Sequence, residues 1–116
     1  MYDVTPLGSG QATGINNSNQ VVGFAFSGGV NRAFLYSGGT TTYLPTLGGT
    51  DNRAYAINGD GTIVGYTSTP SRRIHGFEYS NGVLTKLNSL GDFDTSAAYG
   101  INDSGQVTGY ATTRSG

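Results

Sequence analysis

Cysteine and tryptophan are absent from the 116-residue chain, and its single histidine is His75. The absence of cysteine excludes a disulfide scaffold, and it leaves zinc too few of its usual ligands. Charged residues make up 11 % of the sequence, and the net charge of −1 lacks the basic surplus that is usual in nucleic-acid-binding domains. No apolar run approaches the roughly 20 residues that a membrane-spanning helix needs. We therefore expect no cofactor, no metal, no nucleic-acid partner and no membrane partner.

Glycine is unusually frequent, because it supplies 20 of the 116 residues. This share is more than twice the usual one of about 7 %. Leu, Ile, Val and Phe contribute 24 residues, slightly above the share of about 20 % below which disorder is expected. The composition and the length therefore indicate one folded domain. The first residues lack the charged and apolar segments of a secretory signal, so none is expected in this chain, and the compartment stays open.

The chain repeats itself with a period of 42 to 44 residues, because Ile15-Asn16 recurs as Ile57-Asn58 and Ile101-Asn102. Four segments recur in this way, and we call them a, b, c and d. Their first full copies lie at 12–16, 20–24, 32–36 and 42–48. The whole chain is expected to form a single repeat domain over 1–116. It would comprise a partial repeat over 1–10, repeats over 11–52 and 53–95, and a partial repeat over 96–116.

Each segment is predicted to be a β-strand, because it is short, rich in β-branched and aromatic residues, and bounded by Gly, Asn or Asp. We expect about eleven strands and no helix longer than one turn. A period of about 40–45 residues with four strands is typical of a propeller blade. The predicted fold is therefore all-β, with antiparallel four-stranded sheets in a β-propeller-like arrangement. A β-prism or a solenoid of antiparallel sheets stays open as the alternative.

The repeat also predicts a core, because apolar residues at equivalent strand positions are expected to pack between sheets. The residues expected to be buried are Ile15, Val22, Phe34, Leu44, Ile57, Val64, Phe77, Leu87 and Ile101.

The motifs resemble those of the HAF-repeat family of extracellular bacterial repeat proteins, named after a His-Ala-Phe triplet. Segment c carries Arg32-Ala33-Phe34 and His75-Gly76-Phe77, each differing from the triplet at one position, and Leu47-Gly48-Gly49 is similar to a further motif of the family. The resemblance covers nearly the whole chain. It implies a propeller-like, extracellular repeat protein, and it implies no catalytic residues.

Two groups of side chains are candidates for ligand binding. His75 stands close to Arg72 and Arg73 in the longer loop between segments b and c, a combination that suits a small anion or an acidic sugar. The alternative is a packing or hydrogen-bonding role for His75. Tyr55 and Tyr99 occupy equivalent positions in segment a, where recurring tyrosines either pack between sheets or line sugar-binding pockets. No catalytic or metal-binding residue is predicted.

These observations favour a non-enzymatic β-repeat module for structure or interaction, because no acid, base and nucleophile form a recognisable catalytic pattern. The alternative is a carbohydrate-binding, lectin-like propeller with one weak site per repeat. Propellers close with about four to eight blades, more than this chain provides. We therefore expect a closed homo-oligomer, most simply a two-fold dimer with six blades. In it the trailing segments a and b of one chain would share a blade with residues 2–7 of its partner.

Overall fold

The computed structural model describes residues 9–70, 73–87 and 95–112, which form ten β-strands and no helix. The strands are β1 (Ser9–Ile15), β2 (Val21–Ser27), β3 (Val30–Ser37), β4 (Thr40–Tyr43), β5 (Arg53–Ile57), β6 (Ile63–Ser68), β7 (Ile74–Ser80), β8 (Val83–Lys86), β9 (Thr95–Ile101) and β10 (Val107–Thr112). The all-β prediction is therefore confirmed. The predicted strand at residues 2–7 lies outside the described residues. Across the described ranges, no helix has the length and apolar character of a membrane span.

The strands form three antiparallel sheets. The first contains β1–β4 in sequence order, the second contains β5–β8 in the same order, and the third pairs β9 with β10. The turns that join β3 to β4 and β7 to β8 are Gly38-Gly39 and Asn81-Gly82, and all four residues have positive φ angles. Two-residue turns of this kind match the twist of the strands that they connect. These short turns thus place β4 beside β3 and β8 beside β7.

Each strand of segment a contains a β-bulge opposite a glycine of segment b. In β5 the register with β6 skips Tyr55, and a Cβ atom on the facing Gly65 would overlap the carbonyl oxygen of Arg53. The bulged strand therefore comes so close to its partner that only glycine fits there. The same overlap would arise at Gly23 with Gln11 and at Gly109 with Ala97.

An asparagine follows each strand of segment a and links the three sheets. The Oδ1 atom of Asn16 accepts hydrogen bonds from the backbone N–H groups of Ser18 and Gln20, both at 3.0 Å, and so closes the turn after β1. Its Nδ2 atom donates to the carbonyl oxygen of Asn58 at 3.0 Å, and Nδ2 of Asn58 donates to that of Asn102 at 3.1 Å. We call these three residues the asparagine relay. One side chain thus fixes both the turn and the position of the next sheet.

The sheets stack face to face through the strands of segment a. Strand β5 packs across β1, β2 and β3 of the first sheet, and β9 packs across β5, β6 and β7 of the second. Each sheet thereby buries a face on the next, as a single sheet cannot do alone. The core between the first two sheets is made of Val22, Ala33, Leu44, Ala54, Ile57, Ile63 and Phe77.

Most of the predicted core positions are confirmed. The residues found buried as expected are Val22, Phe34, Leu44, Ile57, Val64 and Phe77. Ile101 and Leu87 are half-buried.

The prediction that Ile15 is buried is wrong, because 56 % of this residue is exposed. Ile57, at the equivalent position of β5, packs in the core cluster against the first sheet. The neighbouring Gly14 faces β5, since a Cβ atom there would lie 3.2 Å from Cα of Ala56. Successive strand residues point to opposite faces, so Ile15 points away from the second sheet. The pattern therefore identifies the right strand position, while burial depends on a sheet on the other side.

The close approach at the bulge predicts that Gly65→Ala destabilises the chain by about 3 kcal/mol, because an added methyl group must displace backbone rather than a flexible side chain. Gly76→Ala is the matched control. Its Cβ would make ordinary contacts of 3.4–3.5 Å with Ala97 and Ala98, and the equivalent residue of the first sheet is Ala33. The control should change the free energy of unfolding by less than about 1 kcal/mol. Urea unfolding measures both, and equal effects would contradict the role given to Gly65.

Candidate functional site

Four aromatic side chains from the three sheets meet around the bulge of β5. The ring centroid of Tyr55 lies 5.0 Å from that of Tyr99, 5.8 Å from that of Tyr66 and 6.4 Å from that of Phe24. These separations and the tilted ring planes are favourable for aromatic pairs. We call Phe24, Tyr55, Tyr66 and Tyr99 the tyrosine cluster. Because the bulge takes Tyr55 out of the regular pairing, its ring reaches all three sheets.

An ion pair borders the tyrosine cluster. The Nε atom of Arg53 lies 3.1 Å from Oδ1 of Asp51, and its guanidinium group lies 4.8 Å from the ring centroid of Phe24 and 5.7 Å from that of Tyr66. The hydroxyl group of Tyr66 donates a hydrogen bond to Oδ2 of Asp51 at 2.9 Å. The carboxylate thus joins the cation and the phenol in one network, and the cation also interacts with two aromatic faces.

Burial and the hydrogen bond to Asp51 raise the pKa of Tyr66 well above its usual range. Burial lowers the pKa of Arg53, but the hydrogen bond to Asp51 and the charges nearby outweigh this and raise it. Tyr66 therefore stays protonated and Arg53 stays charged at all ordinary pH values. Tyr66 and Arg53 therefore supply a fixed donor and a fixed positive charge near neutral pH.

A buried asparagine holds this ion pair in place. Only 1 % of Asn52 is exposed, and its Nδ2 atom donates to the carbonyl oxygens of Asn31 and Gly49 at 3.0 and 3.2 Å. Its Oδ1 atom accepts from the hydroxyl group of Thr67 at 2.7 Å and from the backbone of Ser68 at 3.1 Å. Since the adjacent residues in sequence are Asp51 and Arg53, the asparagine fixes the backbone that carries both charges.

The cluster is open to solvent on one side. Tyr99 is 49 % exposed, and the side chains of Arg53 and Asp51 are 34 % and 44 % exposed. An accessible aromatic face beside a fixed donor and a fixed acceptor suits a small neutral ligand with apolar faces and hydroxyl groups.

The structure separates the residues that the sequence singled out. Tyr55 and Tyr99 lie together. Tyr66 pairs with Gly76 across β6 and β7, so His75 points to the opposite face of the second sheet. Arg73 is exposed in the turn before β7, where its backbone N–H and C=O groups bond to Thr69. The prediction for Arg72 falls outside the described residues.

Burial, Lys86 and Arg73 together lower the pKa of His75. A neutral imidazole beside two cations adds no charge of its own to an anion site. The proposed anion site would therefore depend on the charges of its neighbours, and both roles of His75 stay predictions.

Sequence reasoning missed Phe24, Asp51, Arg53 and Tyr66. One signal points to the ion pair, because Asp51 and Arg53 depart from the repeat. The equivalent residues of the next repeat are Thr95 and Ala97. A charged pair that a repeat does not require for packing indicates a feature particular to that copy.

A second candidate surface lies at the end of the third sheet. An open cleft of about 470 Å³ is lined by Gly100, Ile101, Asn102, Gln106, Val107 and Thr108. It combines apolar side chains with the last asparagine of the relay. Both its position and its lining differ from those of the tyrosine cluster.

Comparisons of the chain with protein-family models, with curated proteins and with solved structures found no match. In the described ranges, no three residues among His, Cys, Asp and Glu form a group that would hold a metal ion. The tyrosine cluster and the cleft are therefore the features from which a function is inferred.

The network around Asp51 predicts a pH-dependent effect of Tyr66→Phe. At pH 7 the loss of one hydrogen bond should lower the free energy of unfolding by about 1 kcal/mol. Above pH 10, unfolded Tyr66 ionises while the folded residue keeps its proton, so the wild type loses stability that the variant does not lose. The difference in the free energy of unfolding between the wild type and Tyr66→Phe should therefore shrink as pH rises from 10 to 11.

Urea unfolding at pH 7, 9, 10.5 and 11 measures this difference, with Tyr43→Phe as the control on an exposed tyrosine. A difference in the free energy of unfolding that stays constant above pH 10 would contradict the raised pKa of Tyr66.

Proposed function

We propose that this chain is a non-enzymatic β-repeat module for structure or interaction, and that it assembles with itself into a propeller-like closed oligomer. In this it would be similar to the HAF-repeat proteins that its motifs resemble. The observation that carries the proposal is the repeated contact between its sheets. Asn16 bonds to Asn58, and Asn58 bonds to Asn102, in the same way at 3.0 and 3.1 Å.

A contact that repeats along a stack has no intrinsic end. Each sheet offers one face to the sheet before it and another to the sheet after it, so further sheets of the same design add by the same contact. Propellers need about four to eight blades to close. The six blades of a dimer meet that requirement, whereas the sheets of one chain do not.

The non-enzymatic part of the proposal is supported by the tyrosine cluster. The charge of Asp51 is compensated by Arg53 at 3.1 Å, and its other oxygen accepts a hydrogen bond from the hydroxyl group of Tyr66. Both oxygens of this carboxylate thus hold neighbouring side chains in place, which is a structural role.

Light scattering coupled to size-exclusion chromatography tests the assembly. At micromolar concentration the expected mass is twice that of the 12.0 kDa chain. Deletion of residues 2–7 should reduce it to that of one chain, because these residues are proposed to complete the shared blade. A wild-type chain that stays monomeric across the concentration range would refute the proposal.

The alternative function is carbohydrate binding, and the exposed ring of Tyr99 beside Arg53 and Asp51 favours it. A glycan array with neutral, acidic and amino sugars tests this alternative. Any binding should fall at least tenfold in Tyr99→Ala, because this ring forms the accessible part of the cluster.

Tyr43→Ala is the matched control, since Tyr43 is exposed to a similar extent, 45 % against 49 %, and does not belong to the cluster. An array without any binding would exclude the lectin function. Equal losses in the two variants would exclude the tyrosine cluster as the binding site.

A further inference from the structure

The two ends of the stack carry complementary halves of the contact that joins its sheets. We call the Ile15 side of the first sheet the head face, and the cleft side of the third sheet the tail face. The contact between the first and second sheets shows what each half does when it is occupied. There Gly14 and Val22 present a surface on which β5 lies, with Cα of Ala56 3.2 Å from the position of a Cβ on Gly14.

The tail face repeats this surface without its occupant. Gly100 and Thr108 are the equivalents of Gly14 and Val22. A Cβ atom on Gly100 would lie within 4 Å of only one described atom, Oγ1 of Thr108 at 3.0 Å, which belongs to the same sheet. Both residues line the cleft of about 470 Å³. Where the first sheet is covered by the next strand, the described residues leave open space over the third sheet.

The head face carries the side chain that such a cleft receives. Ile57 is buried in the same packed cluster as Val22, with 8 % of its surface exposed. Ile15 holds the equivalent position in the first sheet and is 56 % exposed. Covering an apolar side chain of this size with another sheet lowers the free energy and so stabilises the contact.

The two ends of the asparagine relay also complement each other, since each relay asparagine donates to the carbonyl oxygen of the next one. The carbonyl oxygen of Asn58 accepts from Gly61 and from Nδ2 of Asn16, whereas that of Asn16 accepts only from Asn19 among the described residues. At the other end, Nδ2 of Asn102 donates to Oε1 of Gln106 at 2.7 Å. Its second N–H group has no acceptor in the described part of the chain. The head therefore offers an acceptor and the tail offers a donor.

From these three matches we infer that the tail face binds the head face of a second copy of this chain, with Ile15 in the cleft and the Asn102 amide on the Asn16 carbonyl. The inference rests on the proposed self-assembly and specifies its contact. Two different patches meet, so the contact is heterologous, and it closes a ring only where its rotation returns to the start. The occupant is a second copy, because the chain's own internal contacts already display both halves.

Ile15→Asp removes the head half and Thr108→Asp removes the tail half, and both place the new charge on an exposed residue. Each variant alone should lose self-association at least tenfold, measured by sedimentation velocity across a concentration series. An equal mixture should restore a species of two chains, because the intact tail of one variant meets the intact head of the other. Val83→Asp is the control, since Val83 is 61 % exposed in β8, away from both faces. Its assembly should equal that of the wild type.

The outcomes separate this inference from the proposed function. A wild-type chain that is monomeric at every concentration overturns both. A wild-type chain that assembles while either variant assembles equally well overturns only the head-to-tail contact. Two monomeric variants whose mixture also stays monomeric overturn it too, because a symmetric contact between identical patches gives that result. Circular dichroism confirms in each case that the variants keep their β-structure.

Discussion

The hydrogen bonds of the asparagine relay set the geometry on which the rest of the structure depends. In the first two repeats one amide side chain has two tasks, since Oδ1 closes the turn after the first strand and Nδ2 reaches the neighbouring turn. For Asn58 both tasks are performed at 5 % exposure. Aspartate would keep the turn and lose the donor, and a longer glutamine would displace both groups. Because local turn and sheet stacking share one side chain, the strands and the stack are positioned together.

The tyrosine cluster follows from the same local constraints. The glycine of segment b permits the close approach of segment a, and that approach produces the bulge at Tyr55. The bulge then directs the ring toward neighbouring sheets, where Phe24, Tyr66 and Tyr99 meet it. A motif that first explains packing thus also explains why a tyrosine is available at the junction of three sheets. The site is a consequence of the fold rather than an addition to it.

Strands, turns and most of the core could be predicted because their signals are local and recur. Val22, Phe34 and Phe77 are buried, as their alternation and their recurrence indicated. The prediction for Ile15 was wrong because burial depends on which sheet covers a face. The repeat identifies the strand position of Ile15 but not the sheet next to it. The network of Asp51, Arg53 and Tyr66 could not be predicted, since its members are brought together by the bulge and by the buried Asn52. The sequence singles out both His75 and Tyr55, yet strand register places His75 on the face of the second sheet opposite Tyr66.

The first repeat separates the two proposals, ligand binding at the tyrosine cluster and assembly through the head and tail faces. The residue equivalent to Tyr55 and Tyr99 in β1 is Thr13, and its hydroxyl group donates to the carbonyl oxygen of Ala54 at 2.6 Å. A head face added to a tail face would therefore bring a short polar side chain, rather than another aromatic ring, next to Tyr99. The contact between Tyr55 and Tyr99 would therefore not continue from one copy to the next. Each copy would keep its own tyrosine cluster. The proposed assembly would therefore contain one tyrosine cluster per copy and would add no ring to any of them. Loss of assembly would then not imply loss of ligand binding.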